Sequence, residues 1–236
     1  SEGATEVESD IESEYQDSDT FFREAEYDED QKYVADRSLA NHINRVQDTW
    51  KADVYPEFED FTLREIRNMK GRAPHTSDLP SAFIDDSAEE ATDLPESIDW
   101  HFKDNVNYVG DAGQQGGCGS CYAWATVGMI ESRLRIATKN RWQPKISVQD
   151  ILNCNPYSQG CHGGFSYMVG KWAHDMALVD DKCVPYKART EGCSTACSKP
   201  HYIVKASTYE YVGGFFGGCN EKAMMKALQD GPITVG

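Results

Sequence analysis

The eight cysteines of this 236-residue chain all lie between residues 118 and 219, and the first 117 residues contain none. Such density in one segment indicates disulfides formed in an oxidising compartment. Zinc is the alternative. Only the pairs Cys118/Cys121 and Cys193/Cys197 have close ligand spacing, and the long stretch between them does not suit a compact zinc module. We therefore expect disulfides and no metal site.

The charge is concentrated at one end of the chain. The formal net charge is −16, and residues 1–30 hold 13 acidic residues and one basic residue. This balance argues against nucleic acid or an anionic membrane surface as the main partner. No run of apolar residues is long enough for a membrane-spanning helix. Residues 1–30 are predicted to be a disordered acidic leader, with docking onto a basic partner as the alternative.

Residues 31–93 have a different composition from the leader. Between Tyr33 and Trp50 the apolar residues recur at spacings of about three and four, which predicts an amphipathic helix. A second apolar pattern follows and is broken at Gly71, after which residues 71–93 are polar and read as a linker. A second unit is expected from Leu94. The apolar positions are Val34, Leu39, Ile43, Val46 and Trp50, then Phe61, Leu63 and Ile66.

The most informative stretch is QQGGCGSCYAW, residues 114–124. Its glycines indicate an irregular loop, and the apolar, proline-free residues that follow predict a long buried helix beginning at Cys121. A helix N-terminus favours an anion, and the thiolate is the nucleophilic form of cysteine. Backbone N–H groups at the same position can stabilise an oxyanion. Cys121 is therefore a candidate nucleophile, although an ordinary buried thiol is the alternative.

The same stretch resembles the signature of the papain-like cysteine proteases, C-G-[SA]-C-[WY], here Cys118 to Tyr122. The resemblance implies that Cys121 is the nucleophile and that Gln115 supplies an oxyanion-hole amide. SVQDILNC and SQGCHGG match further family stretches, which implies that Gly163, Gly164 and Phe165 bind substrate. LPESIDW resembles the start of the mature enzymes. NEKAMMKALQDGPITVG reads as a helix capped by Asn220, stopped at Gly231, and followed by the start of a strand.

Within this family the chain is most similar to the cathepsin C (dipeptidyl peptidase I) group, through CGSCYAWATVGMIESRLRI and YEYVGGFFGGCNE. INRVQDTWKADVYPEFEDFTLREI resembles the prosegment of that group, which implies a zymogen. The resemblance also implies chloride bound by Tyr167 and Tyr211, although two packing tyrosines are the alternative. It implies the disulfides Cys118–Cys161, Cys154–Cys193 and Cys183–Cys197, with Cys219 unpaired.

A papain-like site also needs a histidine base and an asparagine, and the histidine follows the nucleophile by about 130–150 residues. Gly236 lies only 115 residues after Cys121, from 236 − 121. We expect both residues to come from sequence beyond Gly236 or from a companion chain. None of the histidines present stands in a suitable motif: His42, His75, His101, His162, His174 and His201.

The expected fold is α+β and papain-like: mainly the helical lobe, with a central buried helix from Cys121 and only the start of the barrel lobe, preceded by a helical prosegment. The expected domains are 1–30 (leader), 31–93 (prosegment and linker) and 94–236 (helical part of the peptidase). The resemblance implies a cysteine-type peptidase that releases N-terminal dipeptides from peptide or protein substrates. Residues 1–30 do not resemble the exclusion domain on which dipeptide release depends. The alternative is a catalytically inert module with a structural or interaction role. A secretory, lysosome-like or extracellular location is implied, and a homo-oligomer is compatible with the resemblance.

Overall fold

The computed structural model describes residues 28–69, 94–193 and 197–235. Nearly all of the expected leader and the linker at 71–93 lie outside these residues. The described residues form two compact units that divide between Arg64 and Glu65. The expected domain boundary at residue 94 stays a prediction.

The first unit is built around helix α1 (Arg37–Val46) and a 3₁₀ turn at Pro56–Phe58. The Asp36 carboxylate accepts hydrogen bonds from the backbone N–H groups of Ser38 and Leu39, and so caps the helix. The hydroxyl of Ser38 and these N–H groups hold the pKa of Asp36 below its usual value. At the other end Gln47 is extended, with φ of −149°. The helix is therefore shorter than the apolar pattern over Tyr33–Trp50 predicts.

The apolar residues of helix α1 form little core. Ala40 is buried, but Leu39 and Val46 are more than half exposed, as is Trp50 in the segment that follows the helix. Near the helix end, the side-chain amide of Asn44 bonds both backbone groups of Ala52, at 2.7 and 2.8 Å. Polar contacts thus hold the turn of the chain that follows this helix.

The second unit contains most of the described secondary structure. Helix α2 (Leu63–Met69) spans the division between the units. Helix α3 (Cys121–Ala137) is the longest described helix and packs against both helix α4 (Val148–Cys154) and helix α5 (Ser166–Asp175). The remaining described elements are a 3₁₀ turn at Gly160–His162, strand β1 (Leu178–Val179), strand β2 (Ile203–Val204) and helix α6 (Glu221–Leu228).

Helix α3 begins at Cys121 as predicted, and it is buried at the centre of this unit. It ends where Lys139 and Asn140 adopt positive φ angles of 52° and 58°, which a continuing helix does not allow. The core around it draws on helices α3, α4 and α5 and on both strands. It consists of Cys118, Tyr122, Ala123, Val127, Ile146, Val148, Ile151, Leu152, Val169, Ala173, Leu178 and Val204.

The described part of the chain contains one sheet, of two strands. Strands β1 and β2 are antiparallel, with Leu178 opposite Val204. Helix α6 begins as predicted, because the Asn220 side chain accepts a hydrogen bond from the N–H of Ala223 at 2.8 Å. The strand expected after Pro232 is not formed over residues 231–235. A strand needs a neighbouring strand for its backbone groups, and here Arg133 binds the carbonyl of Pro232 instead, at 3.0 Å.

A buried carboxylate supports the sheet beside strand β1. The Asp180 side chain is only 3% exposed, and it accepts hydrogen bonds from the backbone N–H of His201 at 2.8 Å and from the His201 ring at 3.1 Å. Burial opposes the charge of Asp180, but the contacts with His201 outweigh it and hold the pKa of Asp180 below its usual value. The ionised form of Asp180 therefore stabilises the fold.

Among the described residues, none of the helices has both the length and the apolar character needed to cross a bilayer.

The replacement Asp180→Asn tests the role of this carboxylate. We expect the free energy of unfolding at pH 7 to fall by about 1–3 kcal/mol, because a charged, buried acceptor for the backbone N–H and the ring of His201 is lost. The folded pKa lies below the unfolded value of about 3.9, so the contribution is complete above about pH 4 and disappears at lower pH. The difference between variant and wild type in the free energy of unfolding, measured with urea, should therefore decrease as the pH falls.

Asp181→Asn is the matched control. Burial raises the pKa of Asp181, so its charge does not favour folding, and this replacement should cost little or nothing at pH 7. Equal losses in the two variants would contradict the assignment to Asp180.

Candidate active site

The candidate nucleophile, Cys121, is the first residue of helix α3. It lies outside the three disulfides and is exposed. The backbone carbonyl of Ser120 accepts hydrogen bonds from the N–H groups of Ala123 and Trp124, both at 3.0 Å, and so starts the helix. The first N–H groups of a helix have no acceptor within the helix, and they favour negative charge nearby. This position suits a nucleophilic thiolate and an oxyanion.

The side-chain amide of Gln115 lies in the loop before this helix. Its nitrogen donates to the carbonyl of Cys118 at 2.7 Å and to the carbonyl of Met69. A glutamine amide nitrogen carries two hydrogens, so these two carbonyls take both of them. One acceptor, Cys118, belongs to the same loop. The other, Met69, ends helix α2 and belongs to the segment that the resemblance implies is a prosegment.

Three disulfides are present, and they join the same pairs that the resemblance implies. They are Cys118–Cys161, Cys154–Cys193 and Cys183–Cys197. The first one joins the loop before Cys121 to the 3₁₀ turn at Gly160–His162. A hydrogen bond of 2.9 Å from the N–H of Gly119 to the carbonyl of Cys161 holds the two segments together. Cys219, the other cysteine outside the disulfides besides Cys121, is exposed.

The predicted substrate-binding glycines follow this turn. Gly163 is buried and has a φ of 119°, a conformation that favours glycine. Gly164 lies against the ring of Tyr122, and a Cβ atom there would come within 2.6 Å of Cε2 of that ring. Phe165 follows and is 39% exposed. The backbone of these residues thus packs beside the residue that follows Cys121.

Tyr122 is the buried neighbour of Cys121. Its hydroxyl donates to the carbonyl of Gly160 at 3.1 Å. Burial is the main cause that raises the pKa of Tyr122 to about 12. The side chain therefore stays neutral, and its hydroxyl remains a hydrogen-bond donor that fastens helix α3 to the glycine-containing turn.

The two tyrosines that the resemblance implies as chloride ligands are stacked on each other. The rings of Tyr167 and Tyr211 are parallel, with centroids 4.1 Å apart. Tyr209 and Phe216 contact them edge-on. Burial raises the pKa of Tyr211, so its hydroxyl stays protonated. A neutral phenol hydroxyl can donate a hydrogen bond to an anion.

The contacts and exposure of the histidines are as follows. Three of them contact aspartates: His101 with Asp99, His174 with Asp175, and His201 with Asp180. His162 is exposed at the end of its 3₁₀ turn, and His42 is exposed on helix α1. His75 lies outside the described residues.

Sequence reasoning missed two residues that contact the predicted site residues. One is Met69, whose carbonyl accepts from Gln115. The other is Tyr186, whose hydroxyl donates to the carbonyl of Gln115 at 2.7 Å and lies 2.6 Å from the hydroxyl of Ser120. Neither has a local sequence signal, because Met69 and Tyr186 are 46 and 71 residues from Gln115.

The replacement Gly164→Ala tests the packing beside Cys121. The added methyl would overlap the ring of Tyr122, so we expect a loss of about 1–3 kcal/mol in the free energy of unfolding. Gly128→Ala is the matched control, because, apart from the adjacent backbone of helix α3, no described atom lies within 4 Å of a Cβ atom there. It replaces a glycine inside helix α3 and should stabilise by about 0.5–1 kcal/mol. Urea unfolding measures the change in the free energy of unfolding for each variant. A Gly164→Ala variant as stable as the wild type would contradict the packing argument.

Comparison with known proteins gives a consistent result. The family model described as papain family cysteine protease matches residues 94–236. The chain is 31% identical over 214 residues to a cathepsin C of Schistosoma mansoni, and the match covers 86% of this chain and 47% of that protein. It is also 31% identical over 217 residues to the cathepsin B-like CP2 of Giardia intestinalis, over 84% of this chain and 67% of that protein. The chain thus spans about half the length of that cathepsin C.

Solved structures agree on the fold. The proform of the ragweed pollen cysteine protease Amb a 11 aligns with a TM-score of 0.56 and 26% identity, over 71% of this chain and 51% of that one. Digestive procathepsin L 3 of Tenebrio molitor aligns with a TM-score of 0.59 over 81% of this chain and 58% of that one, at 21% identity, and so supports the fold alone. The expected papain-like α+β fold is confirmed, and this chain belongs to the papain family of cysteine proteases.

Proposed function

We propose that this chain is part of a cysteine-type peptidase of the cathepsin C type, with Cys121 as its nucleophile. The observation that carries the proposal is the Gln115 amide. It lies in the loop that leads into the helix of Cys121, and it already donates hydrogen bonds to two carbonyl oxygens. A donor placed in this way can stabilise the oxygen of a scissile peptide bond as that oxygen becomes an anion.

The reaction would proceed through an acyl-enzyme. The thiolate sulfur of Cys121 attacks the carbonyl carbon of the peptide bond, and the oxygen becomes an oxyanion held by Gln115 and by the N–H of Cys121. The C–N bond then breaks, and the leaving amine takes a proton from a histidine. Water hydrolyses the thioester and regenerates the thiol. We propose that the histidine and asparagine come from a continuation or companion chain, in keeping with the 47% of the Schistosoma cathepsin C that this chain spans.

We also propose that the chain as described is in a latent state. One of the two hydrogens of the Gln115 amide is given to Cys118, within its own loop. The other is given to Met69, in the prosegment-like part of the chain. The carbonyl of Met69 would therefore occupy the donor that a substrate carbonyl needs. This contact supports a zymogen in which residues before Leu94 inhibit the site.

The finer features follow from the similarity to cathepsin C and are proposals. They are release of N-terminal dipeptides from peptides or proteins, and assembly with a companion chain or as a homo-oligomer. Chloride bound by Tyr167 and Tyr211 is another, supported by their two stacked phenols. The three disulfides support a lysosome-like or other secretory compartment.

Cys121→Ala in the protein at its full natural length tests the proposed reaction. We expect hydrolysis of peptide substrates to fall to background, because no other group forms the acyl-enzyme, while the free energy of unfolding stays within about 0.5 kcal/mol for an exposed side chain. Cys219→Ala is the matched control, since it removes the other exposed thiol, and it should keep full activity. Activity retained without Cys121, or absent from the wild type, would favour the inert structural module instead.

Removal of residues 1–93 tests the latent state. We expect the rate of peptide hydrolysis per mole of Cys121 to rise at least tenfold, because the loss of Met69 frees one hydrogen of the Gln115 amide. Removal of residues 1–30 alone is the control, since it leaves Met69 in place and should not change the rate. An equal rate with and without residues 31–93 would refute inhibition by this segment.

A further inference from the structure

We propose that Tyr186 is a positioning residue for the oxyanion amide: its hydroxyl fixes the backbone of Gln115, and so aims the Gln115 side chain at the substrate carbonyl. This inference rests on the proposed peptidase function. Nothing in the local sequence around Tyr186 indicates it, and the role follows from the contacts of the folded chain.

The direction of the hydrogen bonds at this position is determined. The Tyr186 hydroxyl lies 2.7 Å from the carbonyl oxygen of Gln115 and 2.6 Å from the hydroxyl of Ser120. A carbonyl can only accept, so Tyr186 gives its single hydrogen to Gln115. Ser120 then donates to Tyr186 at 2.6 Å and not to the carbonyl of Cys118, which lies 3.4 Å away. This chain of hydrogen bonds joins the residue directly before Cys121 to the residue that carries the oxyanion amide.

Helix α3 fixes the ring of Tyr186. The ring packs edge-to-face against Trp124, with centroids 5.0 Å apart. Trp124 also fills the space beside Gly113, where a Cβ atom would come within 2.2 Å of the indole. The same indole therefore lies between the tyrosine and the loop that leads to Gln115.

Helix α4 anchors the backbone that follows Tyr186. The fully buried side chain of Gln149 accepts from the N–H of Lys187 at 2.8 Å and donates to the carbonyl of Arg189 at 2.7 Å. These two bonds flank Ala188, which has the uncommon φ of 54°. Ala188 in turn lies beside Gly116, where a Cβ atom would come within 3.0 Å of its methyl group. The segment 186–189 is thus held rigidly against the loop of Gln115.

This support matters because the loop that follows Gln115 has a flexible backbone of its own. Glycines at 116, 117 and 119 follow Gln115, and Gly116 has a φ of 61°. Glycine backbones adopt many conformations at little cost. Without the Tyr186 hydroxyl, the peptide plane of Gln115 loses one of its fixed contacts, and the amide can point away from the reacting oxygen. An oxyanion donor acts mainly in the transition state, so the loss should appear in kcat rather than in KM.

Tyr186→Phe in the protein at its full natural length, with the prosegment removed, tests the inference. We expect kcat for a peptide substrate to fall about 5- to 30-fold with KM within twofold, which is less than the about 10²–10³-fold cost of deleting an oxyanion donor. A peptide aldehyde forms a thiohemiacetal whose oxygen enters the oxyanion site, so its affinity should weaken by a similar factor. Alkylation of Cys121 by iodoacetamide forms an S–C bond and releases iodide without an oxyanion, so its rate should not change.

Tyr202→Phe is the matched control. Tyr202 also packs edge-to-face on a tryptophan, Trp142, at 5.2 Å, and its hydroxyl also binds a backbone carbonyl, that of Lys145, at 2.6 Å. It lies outside the proposed catalytic groups, so kcat, aldehyde affinity and alkylation should remain at wild-type values. Ser120→Ala is a second test, because it removes the donor to Tyr186 and should lower kcat in the same pattern.

Three outcomes would overturn the inference. An unchanged kcat in an active Tyr186→Phe variant would show that the hydroxyl has no positioning role. An equal fall in kcat, aldehyde affinity and alkylation would show a general disturbance of Cys121. A wild-type protein without any hydrolysis would overturn the proposed function, and this inference with it.

Discussion

The disulfide between Cys118 and Cys161 is the constraint on which the candidate site depends. It joins two loops that come from distant parts of the sequence, separated by 43 residues. One loop carries Gln115 and leads into Cys121, and the other leads to Gly163 and Gly164. Glycine-rich loops pay a high entropic cost when they become ordered. A covalent link between them reduces that cost, and the hydrogen bond from the N–H of Gly119 to the carbonyl of Cys161 further stabilises their contact.

Helix α3 supplies the rigid base for these loops, although it is not a purely apolar helix. Glu131 and Arg135 are both buried within it. Glu131 accepts from the N–H of Ile146 at 2.7 Å, and Arg135 donates to the carbonyl of Val109 at 3.1 Å. Burial raises the pKa of Glu131. The two side chains satisfy backbone groups of the surrounding loops, and so connect the central helix to chain segments that have no regular structure.

The features that could be predicted from sequence are local ones. The start of helix α3 at Cys121 follows from a glycine loop and a proline-free apolar run, and the start of helix α6 follows from the capping side chain of Asn220. The overall papain-like fold was predicted from the resemblance to known proteases. The prediction was wrong about the extent of helix α1, where Asp36 and Gln47 set the ends, and about a strand after Pro232. The contacts of Met69 and Tyr186 could not be predicted, because they join residues 46 and 71 positions apart.

The hydrogen bond from Gln115 to Met69 has a consequence for how latency would respond to conditions. Because the Met69 carbonyl and the Gln115 amide belong to the same polypeptide, they meet at an effective concentration set by the chain, and dilution does not separate them. A single cut between Met69 and Gln115 places the two groups on separate chains, so their encounter changes from unimolecular to bimolecular. The released segment would then compete with substrate as a soluble ligand, so the fraction of sites that it occupies would depend on the concentration of cleaved protein.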